Sequence, residues 1–246
     1  NGATPRPLAT RFDRRNLRTR VVTGLLAAIA VVAAVVASPW AFLAFCLTLS
    51  TLGLLEFYRV NGLRLRSPEV GLALAAQLLG WAILTAFYLF QNKNALAATA
   101  LFLLLFPLLA ILMLYRPGVP NAFAAMGILG LGLVYVCLPV ALLFATGFSK
   151  NVPGGAWAYR WHVPLGILLL QWAADVSAYF AGHIWGRRKL FPRISPGKTW
   201  EGFLGAVAFT LAFGAFLQWL WPQDAASYVA MGAVIAGFGA LGDLVE

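Results

Sequence analysis

Runs of about twenty consecutive apolar residues recur along this chain, and they limit its fold more than any other feature. A helix rising 1.5 Å per residue needs about 20 mostly apolar residues to cross a hydrocarbon layer about 30 Å thick. Eight segments meet that length loosely: Val21–Ala37, Trp40–Leu55, Val70–Phe90, Ala95–Tyr115, Ala122–Phe144, Val163–Gly182, Trp200–Trp221 and Ala225–Val245. The first two are short and divided only by Ser38-Pro39, and two tight spans are expected there. Of the 246 residues 61% are hydrophobic and 11% charged, whereas a soluble domain carries roughly a quarter charged residues. Such a chain cannot cover a soluble surface, and its composition excludes disorder and a disulfide scaffold. The expected fold class is all-α, a polytopic transmembrane bundle of about eight spans.

The basic residues orient that bundle. Arg6, Arg11, Arg14, Arg15, Arg18 and Arg20 precede the first span, and Arg59, Arg64, Arg66 and Arg116 follow in alternate loops. Arg187, Arg188, Lys189, Arg193 and Lys198 complete that side, leaving Lys93, Lys150 and Arg160 on the other. Fifteen of the 18 Lys and Arg residues thus share one compartment, which by the positive-inside rule is the cytoplasm. The formal charge of +10 is explained by this pattern, and no basic face with interleaved aromatics points to nucleic acid. Three parts are expected: a basic cytoplasmic tail over 1–20, five spans and an outer loop over 21–162, and a catalytic-type region of three spans over 163–246.

Smaller features read as structural. Cys46 and Cys137 lie inside apolar runs and read as small buried hydrophobes. Trp157, Tyr159 and Trp161 in the outer loop read as interface anchors. Gly202/Ala206 and Gly232/Ala236 would let the last two helices approach closely, and such motifs permit a homodimer without requiring one. No signal-peptide pattern precedes the first span. Asn1 is not Met and the last helical pattern runs to Glu246, so both ends are expected to be cut.

The chemistry is concentrated in the last third. Asp175 lies within the sixth span, where a charge costs about 2.5–3.5 kcal/mol unless it is paired, coordinates a metal or faces water. Glu201 opens the seventh span, and Asp243 and Glu246 close the eighth on the same side. Ser195-Pro196 reads as a helix start, with Ser as N-cap and Pro at the first helical position. Free N–H groups there, beside Lys198 and Arg193, would favour a phosphate. Carboxylates from neighbouring helices would suit a hard cation such as Mg²⁺, and the two sites together suggest phosphoryl or nucleotidyl transfer. Gly197-Lys-Thr199 is not a phosphate loop, because Pro192 stands where that motif needs glycine and no strand is expected before it. His162 and His183 read as isolated interfacial side chains.

Ser195-Pro-Gly-Lys-Thr-Trp-Glu-Gly202 strongly resembles the phosphatidate cytidylyltransferases, or CDP-diacylglycerol synthases. The likeness extends through Asp175-Val-Ser-Ala-Tyr-Phe-Ala-Gly182, Gly242-Asp-Leu-Val-Glu246, Arg18-Thr-Arg-Val-Val-Thr-Gly24 and Leu55-Glu-Phe-Tyr-Arg59. The resemblance implies an integral enzyme, in the inner membrane of a bacterium, that condenses CTP with phosphatidic acid among membrane lipids, with its active site facing the cytoplasm. It implies Mg²⁺ as cofactor and leaves a second cation open. Carried onto this chain, it makes Asp243, Asp175 and Lys198 catalytic, and Asp243, Asp175 and Glu246 metal-binding. Ser195, Lys198, Thr199, Glu201 and Arg193 would bind substrate. The family's C-terminal signature, a Lys-Asp pair followed by His-Gly-Gly and Asp-Arg, is expected beyond Glu246. Two other readings compete: a CTP-dependent polyprenol-type lipid kinase, and a cation-coupled transporter using Asp175. The polar residues gather in one third of the chain, with no matching half, which counts against the transporter.

Overall fold

The computed structural model describes residues 14–65, 67–91, 122–149, 157–192, 195–222 and 227–245. The expected span 95–115 lies outside the described residues. Helices dominate: α1 (Arg14–Ala37), α2 (Pro39–Val60), α3 (Pro68–Tyr88), α4 (Ala122–Gly132), α5 (Leu138–Thr146), α6 (His162–Trp185), α7 (Trp200–Leu220) and α8 (Tyr228–Val245). Among the described residues, five helical stretches are long and apolar enough to cross a membrane: Pro39–Val60, Val70–Tyr88, Ala124–Thr146, His162–Trp185 and Trp200–Leu220. Val22–Ala37 and Tyr228–Gly239 are shorter apolar helices. Leu25, Leu52, Val134, Phe209 and Phe238 are among many large apolar side chains left exposed, the surface a membrane protein turns to lipid.

Local chemistry sets the helix boundaries. Ser38 accepts the Ala41 N–H at 3.1 Å and Pro39 follows at the start of α2, so the chain breaks into two helices there. Ser67 and Pro68 repeat the device at α3, where Ser67 accepts the Val70 N–H. Gly62, between α2 and α3, takes φ +77°, a left-handed turn that suits glycine. The helix running from Ala122 to Thr146 widens into a π-turn over Leu133–Cys137, where Leu138 N–H donates to Leu133 O. Pro139 explains the widening, since it has no N–H and its ring would strike the Tyr135 carbonyl in a regular α-helix. Against Gly132 lies Tyr58, whose hydroxyl donates to Leu129 O at 2.9 Å.

Polar side chains tie α2 to α3. The buried Gln77 amide donates to Ser50 Oγ and Thr51 Oγ1, both at 2.9 Å, and Trp81 Nε1 donates to Ser50 Oγ at 3.1 Å. At the far end of these helices, Phe42, Trp81, Phe144 and Phe148 form an aromatic core. Onto it fold β1 (Phe148–Ser149) and β2 (Ala158–Tyr159), paired antiparallel. Trp157, Tyr159 and Trp161, read above as interface anchors, are half-buried and pack on this core. Tyr159 also donates to Val35 O at 2.6 Å, and Gln91 Oε1 accepts the Trp157 N–H at 2.8 Å. The hairpin brings their rings against the helix ends.

The last three helices pack closely, through glycines. A Cβ on Gly202 would lie 3.0 Å from Ala178 O and 3.2 Å from Gly182 Cα, so Gly202 serves the α6–α7 contact rather than the α7–α8 contact expected for it. Gly232 does face α7, where a Cβ would come within 3.0 Å of Thr210 O. Cys46 is fully buried and Cys137 half-buried.

Candidate active site

The polar segment between α6 and α7 is a β-hairpin, which corrects the helix start read at Ser195-Pro196. Lys189–Phe191 forms β3 and Ser195–Thr199 forms β4. The helix begins only at Trp200, because Thr199 takes the extended N-cap conformation and its Oγ1 accepts the Gly202 N–H at 3.2 Å. Lys189 pairs with Thr199 and Phe191 with Ser195. Pro196, Gly197 and Lys198 therefore bulge opposite the single residue Leu190. Proline has no N–H for a ladder, so a bulge suits it, and bulges re-aim side chains beside active sites. The expected phosphate seat at a helix N-terminus is also altered. Trp200 N–H donates to Arg188 O at 2.9 Å and Gly202 N–H to Thr199, so these first-turn donors are already used.

Glu201 points back along the chain. Its carboxylate accepts the backbone N–H of Arg187 at 3.1 Å and that of Arg188 at 3.2 and 3.3 Å. In the first turn of α7 the negative charge also suits the helix dipole.

Beside the hairpin a cleft of about 380 Å³ opens between α6, α7 and α8, a volume in the range of small-molecule sites. Asp175, Lys198 and Thr199 line it together. Gly182 reaches the level of Thr199, where its Cβ would stand 3.2 Å from Thr199 Oγ1. Asp175 lies seven residues earlier on α6, so the cleft runs about 10 Å from its hairpin rim down to that carboxylate. The Gln171 amide donates to Asp175 Oδ1 at 3.2 Å, and neither Arg187 nor Arg188 forms an ion pair with Asp175. Phe203, Ala206, Ile235 and Ala236 supply an apolar wall. A cationic rim, a carboxylate floor and an apolar side suit a ligand that is anionic at one end and lipid at the other.

The other expected site residues divide. Ser195 is half-buried in β4 and Glu201 is turned to the α6 exit, and neither lines the cleft. Arg193 and Glu246 lie outside the described residues, and of Asp243 only the backbone, on α8, is described. Gly239 of α8 comes up against Gln171 of α6, a Cβ there standing 4.0 Å from Gln171 Nε2. Asp175 and Asp243 each lie four residues farther along helices that run in the same direction. Among the described residues no three His, Cys, Asp or Glu side chains gather as a metal cluster.

Gln171, Tyr179 and His183 also line the cleft, although the sequence gives Gln171 and Tyr179 no role of their own and His183 reads there as an interfacial side chain. With Asp175 they fall at every fourth position of α6, a one-face stripe that helical spacing makes visible. His183, read above as isolated, stacks on Tyr179 with the two rings 6° from parallel.

Known proteins resemble this chain over most of its length. Residues 18–246 match the model of the "Cytidylyltransferase family". The phosphatidate cytidylyltransferase of Bacillus subtilis is 29% identical over 238 residues, covering 94% of this chain and 83% of that protein. That of Haemophilus influenzae is 37% identical over 87 residues, 32% of this chain and 30% of its own length. That of Pseudomonas aeruginosa is 52% identical over 44 residues, 18% of this chain and 16% of its own. With the family's match spanning both the apolar helices and the cleft-bearing hairpin, the chain belongs to the cytidylyltransferase family.

Proposed function

We propose that this protein condenses CTP with phosphatidic acid, forming CDP-diacylglycerol and pyrophosphate. The observation that carries the reading is the meeting of Lys198, Thr199 and Asp175 on one cleft within a membrane bundle. A phosphate oxygen of the lipid attacks the α-phosphorus of CTP; the new P–O bond forms as the bond to the β-phosphate oxygen breaks, and pyrophosphate leaves. Lys198 holds the triphosphate at the rim by charge, and the apolar wall takes the glycerol end of the lipid.

The donor set fits a hard divalent ion, since Asp175 offers carboxylate oxygens and Gln171 already fixes one of them. Asp175 and Asp243 would hold Mg²⁺, and Glu246 would join them. When bound, the ion supplies neutralisation of the pyrophosphate charge. The partition of Lys and Arg supports eight spans with the N-terminus and the cleft on the cytoplasmic side. Bacterial relatives support an inner-membrane location.

The test is transfer of label from CTP into the organic-soluble fraction, in membranes expressing the full reading frame with phosphatidic acid and Mg²⁺. Label from the α-position and none from the γ-position is the expected result. Transfer of the γ-phosphate to a polyprenol would establish the kinase reading instead, and no transfer from either position would overturn both.

A further inference from the structure

We infer that Glu201 is a positioning residue: by gripping the exit of α6 it fixes the bulge that presents Lys198 to the cleft, without touching substrate. The inference rests on the reading of that cleft as the CTP site. Lys198 is the last of three bulged residues between the paired positions 195 and 199, so strand pairing alone does not set its place. The backbone position from which it extends depends on how firmly the ends of the hairpin are held. Glu201 holds one end through the N–H groups of Arg187 and Arg188. The Arg188 carbonyl in turn accepts the Trp200 N–H at 2.9 Å. Residue 188 is thus bound on both sides of its backbone by the first two residues of α7. The next residue, Lys189, pairs with Thr199, the neighbour of Lys198.

Two further observations favour a positioning role over substrate contact. Glu201 is not among the residues that line the cleft. Two consecutive N–H groups turned onto one anion are a donor pair that would otherwise suit a phosphate. The side chain of Glu201 occupies that pair, and among the residues that line the cleft the Lys or Arg side chain offered to the triphosphate is Lys198. A carboxylate placed against the triphosphate itself would repel it.

The experiment measures steady-state kinetics and amide exchange on the purified full-length protein, comparing wild type with Glu201→Ala, Glu201→Gln, Lys198→Ala and the Lys198→Ala/Glu201→Ala double variant. Loss of hydrogen bonds to a charged group is expected to raise the KM for CTP about tenfold in Glu201→Ala, with the KM for phosphatidic acid unchanged. Glu201→Gln keeps a carbonyl oxygen for the same N–H groups and should recover most of that loss. Exchange at the Arg187 and Arg188 amides should quicken in the Ala variant and stay slow in the Gln variant. With Lys198 already removed, Glu201→Ala should add little, since it acts through that side chain. Wild-type kinetics in Glu201→Ala would overturn the inference. So would a Gln variant as impaired as the Ala variant, with fully multiplicative losses in the double variant, because the charge itself would then be required. If the wild type transfers nothing from CTP, the functional reading fails by itself. The clamp is then judged by exchange alone, standing if Glu201→Ala quickens it at Arg187 and Arg188 and falling if it does not.

Discussion

A carboxylate carried into a membrane helix costs about 2.5–3.5 kcal/mol, and Asp175 offsets only part of that through its bond from Gln171. Its position is explained by the cleft it lines, where water or a cation can reach it. Asp175→Asn should therefore separate function from stability. Turnover should fall at least about 100-fold, while the thermal midpoint in detergent stays level or rises as a charge within a membrane helix is removed. A midpoint that falls together with activity would make the carboxylate a structural element. Asp175 and Lys198 were legible in the sequence because a charge amid apolar residues, or a lysine inside a specific motif, stands out against its surroundings. Gln171 and Tyr179 carry no role in the sequence and His183 reads as isolated, since amide and aromatic side chains are ordinary in such helices and only their four-residue spacing joins them to Asp175. The direction in which Glu201 points was beyond reach, because it depends on a hairpin that returns residues 187 and 188 to the start of α7.

Three Ser-Pro pairs show what decides an element boundary. Ser38-Pro39 and Ser67-Pro68 open helices, whereas Ser195-Pro196 lies in a strand. An apolar helical run follows Pro39 at once and follows Pro68 after Glu69. After Pro196 come Gly197, Lys198 and Thr199, and Thr199 is a competing cap directly before the apolar run. The Ser-Pro pattern was equally readable in all three places, but the strand pairing that selects the later cap joins residues that local spacing does not connect. Thr199→Val keeps the shape and removes the acceptor for Gly202 N–H, so it should cost about 1 kcal/mol. Ser195→Ala should stay within about 0.5 kcal/mol. Reversible unfolding in a graded detergent–denaturant series separates the two, and equal losses would place the working cap at Ser195. The α2–α3 pair carries a parallel expectation. Ser50 accepts from both Gln77 and Trp81 while fully buried, so Ser50→Ala takes the acceptor from Trp81 Nε1 and leaves the Gln77 amide only Thr51 Oγ1, and should cost about 1–2 kcal/mol in the same assay.

Across the whole molecule, hydropathy located the apolar helices well, because lipid imposes its requirement on each segment separately. It did not show that α1 begins among arginines. Arg14, Arg15, Arg18 and Arg20 lie within that helix, leaving Val22–Ala37 as its apolar part. Sixteen residues rise only about 24 Å, short of a hydrocarbon layer of about 30 Å, so a span there needs its flanking side chains to reach into the interface. Which helices touch was equally hidden, since it turns on close approaches such as Gly202 to Ala178 and Gly232 to Thr210. The charge partition nevertheless makes a claim about the entire bundle, and it can be checked directly. If the α6–α7 hairpin is cytoplasmic and the loop after β1 lies on the opposite side, single cysteines will report it in a background lacking Cys46 and Cys137. An impermeant maleimide should label Lys150→Cys in cells with an intact inner membrane and a permeabilised outer one. Lys189→Cys should label only once the inner membrane is opened. The reverse pattern would put the cleft on the face away from the cytoplasmic nucleotide pool, and a CTP-dependent reaction there would have no supply. The side on which Lys189 is labelled therefore tests topology and function together.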